Sequence, residues 1–238
     1  MDFNQFNYQS AAAQEAKVSV AFPALMRKVY VWMTLALVIT GFTAYFVATN
    51  ATLLSLIYST PAVMWILIGV ELAIVIGVTA AINRLSLPVA TLLFVLYSVI
   101  NGALLSSIFL VYTMASIAKV FFITAGTFAA MFIYGYTTKT DLTSMGKIVM
   151  MALIGLIIAT VVNLFLKSSG LDMILSYAGV LIFVGLTAYD TQKIKQMCMQ
   201  APDMSEQMQK YALIGALSLY LDFINLFIYL LRIFGRRE

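Results

Sequence analysis

Long apolar runs broken by short polar stretches set the pattern of this chain from Val29 onward. A helix that crosses a bilayer needs about 20 mostly apolar residues. Seven windows meet or approach that length: 29–49, 62–82, 88–111, 119–138, 147–166, 172–191 and 211–231. The runs are continuous rather than alternating, which argues against a transmembrane β-barrel. Pro61 and Pro88 stand at the start of two windows, where a missing amide costs no helical hydrogen bond. No internal repeat is visible, so an inverted-repeat transporter is not expected. The pattern predicts an all-α integral membrane protein, a single bundle of seven transmembrane helices over 26–238. A polar tail, 1–25, precedes it. "MDFNQFNYQSAAAQEAKVSVAFPALMRK" lacks an early apolar core, so it is not a cleavable secretory signal. It is expected to be flexible or to lie on a surface.

Composition agrees. The chain is 63% hydrophobic and only 10% charged, against about 25% charged in soluble domains. Its net charge of +4 is spread over short loops and tails with no continuous basic patch, so nucleic acid is not an expected partner. One cysteine, Cys198, allows no internal disulfide, and the absence of histidine removes Ser-His-Asp and Cys-His catalysis and histidine metal sites. With seven crossings, nine Lys and Arg fall on the N-terminal side and five on the other, which favours a cytoplasmic N-terminus. The C-terminal "LRIFGRRE" fits this poorly. If the last segment entered and returned, the split would be twelve to two, so charge leaves its path open. Its length and position favour a full crossing.

Candidate chemistry sits on that last segment. Steps of four and three along 211–229 read Tyr211, Gly215, Ser218, Asp222, Asn225 and Tyr229, one helical face among Leu, Ile, Phe and Ala. An intramembrane carboxylate is costly and should face the protein interior or a water-filled cavity. Two readings compete for Asp222: a packing seam in which it bonds Asn225 or a neighbouring helix, or an ion or proton site. A second acid, Asp190, closes the sixth window in "VGLTAYDTQKIK", just inside the lysines that mark its boundary. Read alone, it is an interfacial acid paired with Lys193 or a helix partner. If Asp190 and Asp222 approach, they hold a proton between them, titrate as a unit, and offer oxygen ligands to a hard cation.

Glu71 lies mid-way along the second window, as a neutral hydrogen-bonded acid or a third carboxylate of a pathway. Gly69, Ala73, Gly77 and Ala81 form a small-residue row on the same helix, expected to be a close-packing face pointing away from the acid. Arg84 is a candidate counter-charge to Asp190, or an ordinary loop arginine. Asn101 and Asn163 are expected to bond between helices. In "TTKTDLTSMGK", Asp141 or Thr143 is expected to cap the next helix.

"VGLTAYDTQKIK", "LYLDFINLFIYLLRIFG" and "ASIAKVFFITAGTFAAMFIYGYTTKTDLTSMG" together resemble the transmembrane Bax-inhibitor-motif family, in particular its bacterial YccA-like branch. The resemblance runs from about Met26 to Gly235. It implies seven helices with the C-terminal helix central and wrapped by the other six, in a bacterial inner membrane. It also implies a pH-sensitive calcium leak through a paired-aspartate site, which by motif match is Asp190 and Asp222. Calcium would be the transported ion, held transiently, with no cofactor. Glu71 matches an acid of the second helix. Arg84 matches only loosely a basic latch that relatives build from several residues; Ser218 and Asn225 would line the same route.

Two other functions are weighed against the leak. An intramembrane aspartyl protease also uses two aspartates on the sixth and seventh helices as acid and base. That class needs Gly-x-Gly-Asp and a later Pro-Ala-Leu, whereas here "LYL" precedes Asp222 and no proline follows Pro202. The chain is therefore not expected to be an enzyme. A non-conducting protein that modulates a membrane protease or another channel is excluded by no residue.

Overall fold

A computed structural model describes the backbone of residues 3–236 and the side chains of residues 21–236. Among the described residues there are nine helices and no strand: α1 (Phe3–Thr49), α2 (Ala51–Tyr58), α3 (Pro61–Ala81), α4 (Leu87–Leu105), α5 (Ile108–Val111), α6 (Met114–Thr137), α7 (Thr143–Leu166), α8 (Ser169–Met199) and α9 (Glu206–Phe234). Seven stretches are long and apolar enough to cross a membrane, one for each predicted window. The helices outrun the windows most at the start of α1, and next at the end of α8 and the start of α9. There polar residues continue the helix beyond the apolar run. The expected tail, 1–25, joins α1: Ala21 and Leu25 are buried in the bundle, and the side chains of 1–20 lie outside the described residues.

Two features do not follow from the apolar windows. The α1–α3 connection holds α2, too short to span. It starts at Asn50, whose side-chain Oδ1 accepts the amides of Thr52 and Leu53 at 3.1 Å each. The third span breaks after Leu105. Ser106 and Ser107 donate their hydroxyls to the Ala103 and Leu104 carbonyls at 2.7 and 3.3 Å, competing with the helical ladder. The Tyr58 hydroxyl, donating to the Leu104 carbonyl at 2.8 Å, ties α2 to this break.

α9 is the core. Of its most apolar stretch 67% is buried, against 6% for α3 and for α7. α1, α4, α6 and α8 pack directly on α9, while α3 packs on α2 and α4, and α7 on α8. The C-terminal helix is therefore central, with four helices around it and two standing outside. Tyr220 marks its centre: it is wholly buried, with Phe94 and Tyr97 edge-on at 5.9 Å each. The Thr40 hydroxyl donates to the Ser98 carbonyl at 2.9 Å, so the Tyr220 hydroxyl donates to Thr40 Oγ1, 2.7 Å away. Helix α8 is clamped as closely. A Cβ on Gly135 of α6 would lie 2.2 Å from the Ala188 carbonyl oxygen.

The helices define two ends. The proximal end carries the α3–α4, α6–α7 and α8–α9 loops, and residues of α8 and α9 grip the first two. Buried Lys210 donates to the Leu85 carbonyl at 2.9 Å, and Glu206 accepts the Leu87 amide at 2.9 Å. Gln192 accepts the Leu142 amide and donates to the Thr140 carbonyl, both at 2.8 Å, while Lys195 donates to the Tyr136 carbonyl at 2.6 Å. At the distal end, Arg232 in the last turn of α9 meets Asp172 in the first turn of α8 at 3.4 Å, where each charge also suits its helix dipole. The Arg236 amide donates to Ser116 Oγ at 2.8 Å. α9 is one continuous helix of 29 residues, about 43 Å at 1.5 Å per residue. It does not enter and return.

In the α6–α7 loop, Asp141 accepts the Thr143 hydroxyl and amide at 2.6 and 2.9 Å. These bonds, the hydroxyl's first, hold its carboxyl below the usual aspartate range. A folded value below the unfolded one stabilises above the unfolded value, and that contribution is lost as pH falls through the folded value. Thr143→Ala is expected to return the Asp141 titration midpoint, read by NMR of the labelled carboxyl, toward the usual range. An unchanged midpoint would remove the Thr143 hydroxyl as its cause.

The small-residue row requires correction. Gly69, Ala73 and Gly77 are exposed, and a Cβ at Gly69 or Gly77 would meet nothing within 4 Å. Among the described residues no helix covers that face, so the small residues there form no packing seam within them. Asn163 is likewise local: its side-chain carbonyl accepts the Ser168 amide at 3.1 Å across the α7–α8 turn.

Candidate functional site

Asp222 lies 16 residues beyond the start of α9, about 24 Å along it and just past its middle. It is 4% exposed. Its Oδ2 is buried without a hydrogen-bond partner among the described residues. The seam reading that pairs it with Asn225 does not hold, because the Asn225 amide instead donates to the Leu221 carbonyl of its own helix at 2.8 Å. Asp190 of α8 is half-buried and within Coulombic reach of Asp222. No hydrogen bond joins the two, and Asp190 forms no ion pair with Lys193 or Arg84; among the described residues the one ion pair is Arg232 with Asp172.

What the two acids share is a cavity of about 570 Å³. Asp190, Ser218, Asp222, Asn225 and Tyr229 form its polar wall on α8 and α9. Across it stand α3 with Leu72 and Val75, and α7 with Leu153, Leu156 and Ile157. α3 and α7 thus face α9 over a space rather than packing on it. Four members of the predicted stripe reach this wall. Tyr211 and Gly215 do not: the Tyr211 hydroxyl donates to Asn83 at 3.3 Å, and Gly215 lies under Ile194, where a Cβ would come within 3.1 Å.

Bulky side chains flank the cavity along the helix axis. Toward the proximal end, Ile194 on Gly215 fills the α8–α9 seam. Beyond it a hollow of about 380 Å³ opens, lined by Lys193, Gln196, Gln200 and Tyr211 among others. Toward the distal end, Tyr229 stacks on Phe183 at 5.9 Å and presses against Gly179.

Glu71 is not on the cavity wall. It accepts a hydrogen bond from Asn101 of α4, with the Tyr97 hydroxyl beside it. Asn101 does bond between helices, as expected. The ring of Tyr97 lines the cavity and packs on Tyr220, so it stands between Glu71 and the aspartates. Tyr97 and Thr160, also on the wall, carry no periodic signal in their own segments. Arg84 is exposed in the α3–α4 loop and is not brought to Asp190.

The donor set limits the chemistry. Among the described residues no three Asp, Glu, Cys or His side chains converge as a metal site. A calcium ion takes 6–8 oxygens, more than the two aspartates with Ser218 and Asn225 could supply without water.

Comparisons with known proteins bear on the whole chain. A family model described as "Inhibitor of apoptosis-promoting Bax1" matches residues 23–238. The chain is 51% identical over 214 residues to "Inner membrane protein YbhL" of Escherichia coli (strain K12), covering 90% of this chain and 92% of that protein. It is 46% identical to an uncharacterized protein of Borreliella burgdorferi over 90% of this chain and 92% of the relative. For a Rickettsia prowazekii protein the identity is 45%, with coverage of 90% and 89%. A match spanning every transmembrane helix, with relatives near half identity along almost their full length, places this chain in the Bax inhibitor family of multi-pass membrane proteins.

Proposed function

We propose that the protein is a pH-sensitive calcium leak channel of a bacterial inner membrane, with its N-terminus in the cytoplasm. The observation that carries this reading is the placement of Asp190 and Asp222 on the wall of one cavity, with a buried, unpartnered oxygen on Asp222. The inner-membrane description of the Escherichia coli relative supports the location. The basic residues on the proximal end support the orientation. Calcium ions and protons are the partners of this site, and the lipid bilayer is its solvent.

The two carboxylates titrate as a coupled pair. The other titratable or charged groups near them are Lys193 one turn along α8, Tyr229 on α9, Tyr97 on α4 and, behind Tyr97, Glu71 on α3. α7 adds no titratable group to the wall. Ile194 on Gly215 serves as the closure between the cavity and the proximal hollow, a hydrophobic constriction of the kind that gates by excluding water.

The test is calcium flux into proteoliposomes across about pH 5–8, a range into which burial and a neighbouring carboxylate can raise an aspartate's titration. The wild type is expected to pass calcium with a pH-dependent rate. Asp190→Asn and Asp222→Asn are expected to flatten that dependence, and Ile194→Ala to raise the rate. Equal flux in all four proteins would refute the reading. Absence of flux together with co-purification of a membrane protein would favour a non-conducting modulator instead.

A further inference from the structure

Along the helix axis the cavity is flanked by Ile194 and by Tyr229 with Phe183, whereas its sides are formed by loosely packed helices. α3 and α7 do not pack into a wall: α3 packs on α2 and α4, and α7 on α8. The residues they give to the cavity are also outer-surface residues. Leu72 is 56% exposed, Ile157 55% and Val161 49%. The cavity therefore opens between α3 and α7, through the apolar surface that faces lipid. Among the described residues its far wall holds the only ionisable carboxyls, Asp190 and Asp222, while Leu153, Leu156 and Leu186 are among the apolar lining.

A strongly hydrated metal ion gains nothing from a mouth in the hydrocarbon region, because it would have to shed its water in lipid. Neutral lipid chains fit the mouth but leave the acids unanswered. The complementary occupant has an apolar body and a positive charge. Its body replaces lipid contacts at little cost, and its charge meets two carboxylates, one of which carries a buried oxygen without a hydrogen-bond partner among the described residues. A volume near 570 Å³ is in the range of pockets that hold small organic molecules, about 300–1,000 Å³.

We propose that the cavity binds a lipophilic organic cation, taken up from the bilayer between α3 and α7, with its charge on Asp222 and Asp190 and its body against α7. The inference uses the same carboxylates as the leak but does not depend on ion conduction.

The test is equilibrium dialysis of tritiated tetraphenylphosphonium against the full chain in a non-ionic detergent. Saturable binding to one site is expected, weakened about thirtyfold or more by Asp222→Asn, the scale of losing one partner of a buried charge contact. Tetraphenylborate, an anion of nearly the same shape, is expected not to bind. Ile157→Trp changes only an exposed position at the mouth, so the fold is kept, and it is expected to abolish binding. The proposal is overturned by non-saturable partitioning alone, or by equal binding of the borate. It is also overturned by wild-type binding in Asp222→Asn. Should that variant fail to fold, undiminished binding to Ile157→Trp overturns the proposal by itself. A chain that binds the phosphonium yet passes no calcium keeps this inference and loses the leak. The reverse result loses this inference alone.

Discussion

Asp222→Leu is expected to yield a protein that resists heat better than the wild type and lacks the calcium leak proposed for it. The carboxyl is buried, and one of its oxygens has no partner. A buried polar atom left unsatisfied costs about 1–3 kcal/mol. Leucine has similar bulk and adds no unmet hydrogen bond in a helix already lined by Leu219, Leu221 and Leu226. The substitution should therefore recover part of that cost, within the range of about 1–4 kcal/mol seen when buried charged groups give way to apolar ones. A site kept at the expense of stability is a common signature of function. Thermal unfolding in mild detergent and calcium flux in liposomes, measured on the same preparation, decide it. A lowered midpoint would mean that Asp222 holds the bundle together, and the packing-seam reading would return.

Gly135→Ala is expected to destabilise the bundle and to displace the residues just before Asp190. The added Cβ would stand 2.2 Å from the Ala188 carbonyl oxygen and 2.9 Å from its carbon. These are backbone atoms and cannot rotate away, so α6 and α8 must separate. Overpacking of this kind costs about 1–3 kcal/mol, more than the gain of about 1 kcal/mol that alanine brings to a helix. Gly126 lies on the same helix with nothing within 4 Å of its would-be Cβ, so Gly126→Ala keeps only the gain. Unfolding midpoints of the two variants should fall on opposite sides of the wild type. If both rise, the α6–α8 contact is softer than its geometry indicates.

The seven crossings were readable because a bilayer demands one simple thing, a long unbroken apolar run. The wall of the cavity was partly readable for the same reason. In a helix that is otherwise apolar, Ser218, Asp222, Asn225 and Tyr229 stand out as one face. The stripe fails at Tyr211 and Gly215, where α9 meets the α8–α9 seam and the proximal hollow. Periodicity reports a face of one helix but not which neighbour ends it. The Gly69–Ala73–Gly77 row was misread for that reason: close spacing of small residues invites a partner, and whether one comes is decided by the other helices. Gln192, Lys195, Glu206 and Lys210 entered the sequence reading at most as charges for topology. Their hydrogen bonds go to backbone groups of distant loops, and no local pattern records that. The Glu71–Asn101 pair joins two residues that each stood out alone but are 30 positions apart.

The burial of α9 also bears on how the protein is made. A ribosome delivers the chain from its N-terminus, so the helix that touches α1, α4, α6 and α8 is the last of the described helices to enter the membrane. Until it arrives, Phe94, Val120 and Phe128 lack its packing, and the aspartate wall does not exist. Helices in a bilayer insert first and associate afterwards. The first six can pair in part, α1 on α4 and α8 on α6 and α7, but the helix that joins these pairs is missing. Final assembly becomes a late event, and a chain cut after residue 205 should be inserted, incompletely packed and an early target for membrane proteolysis.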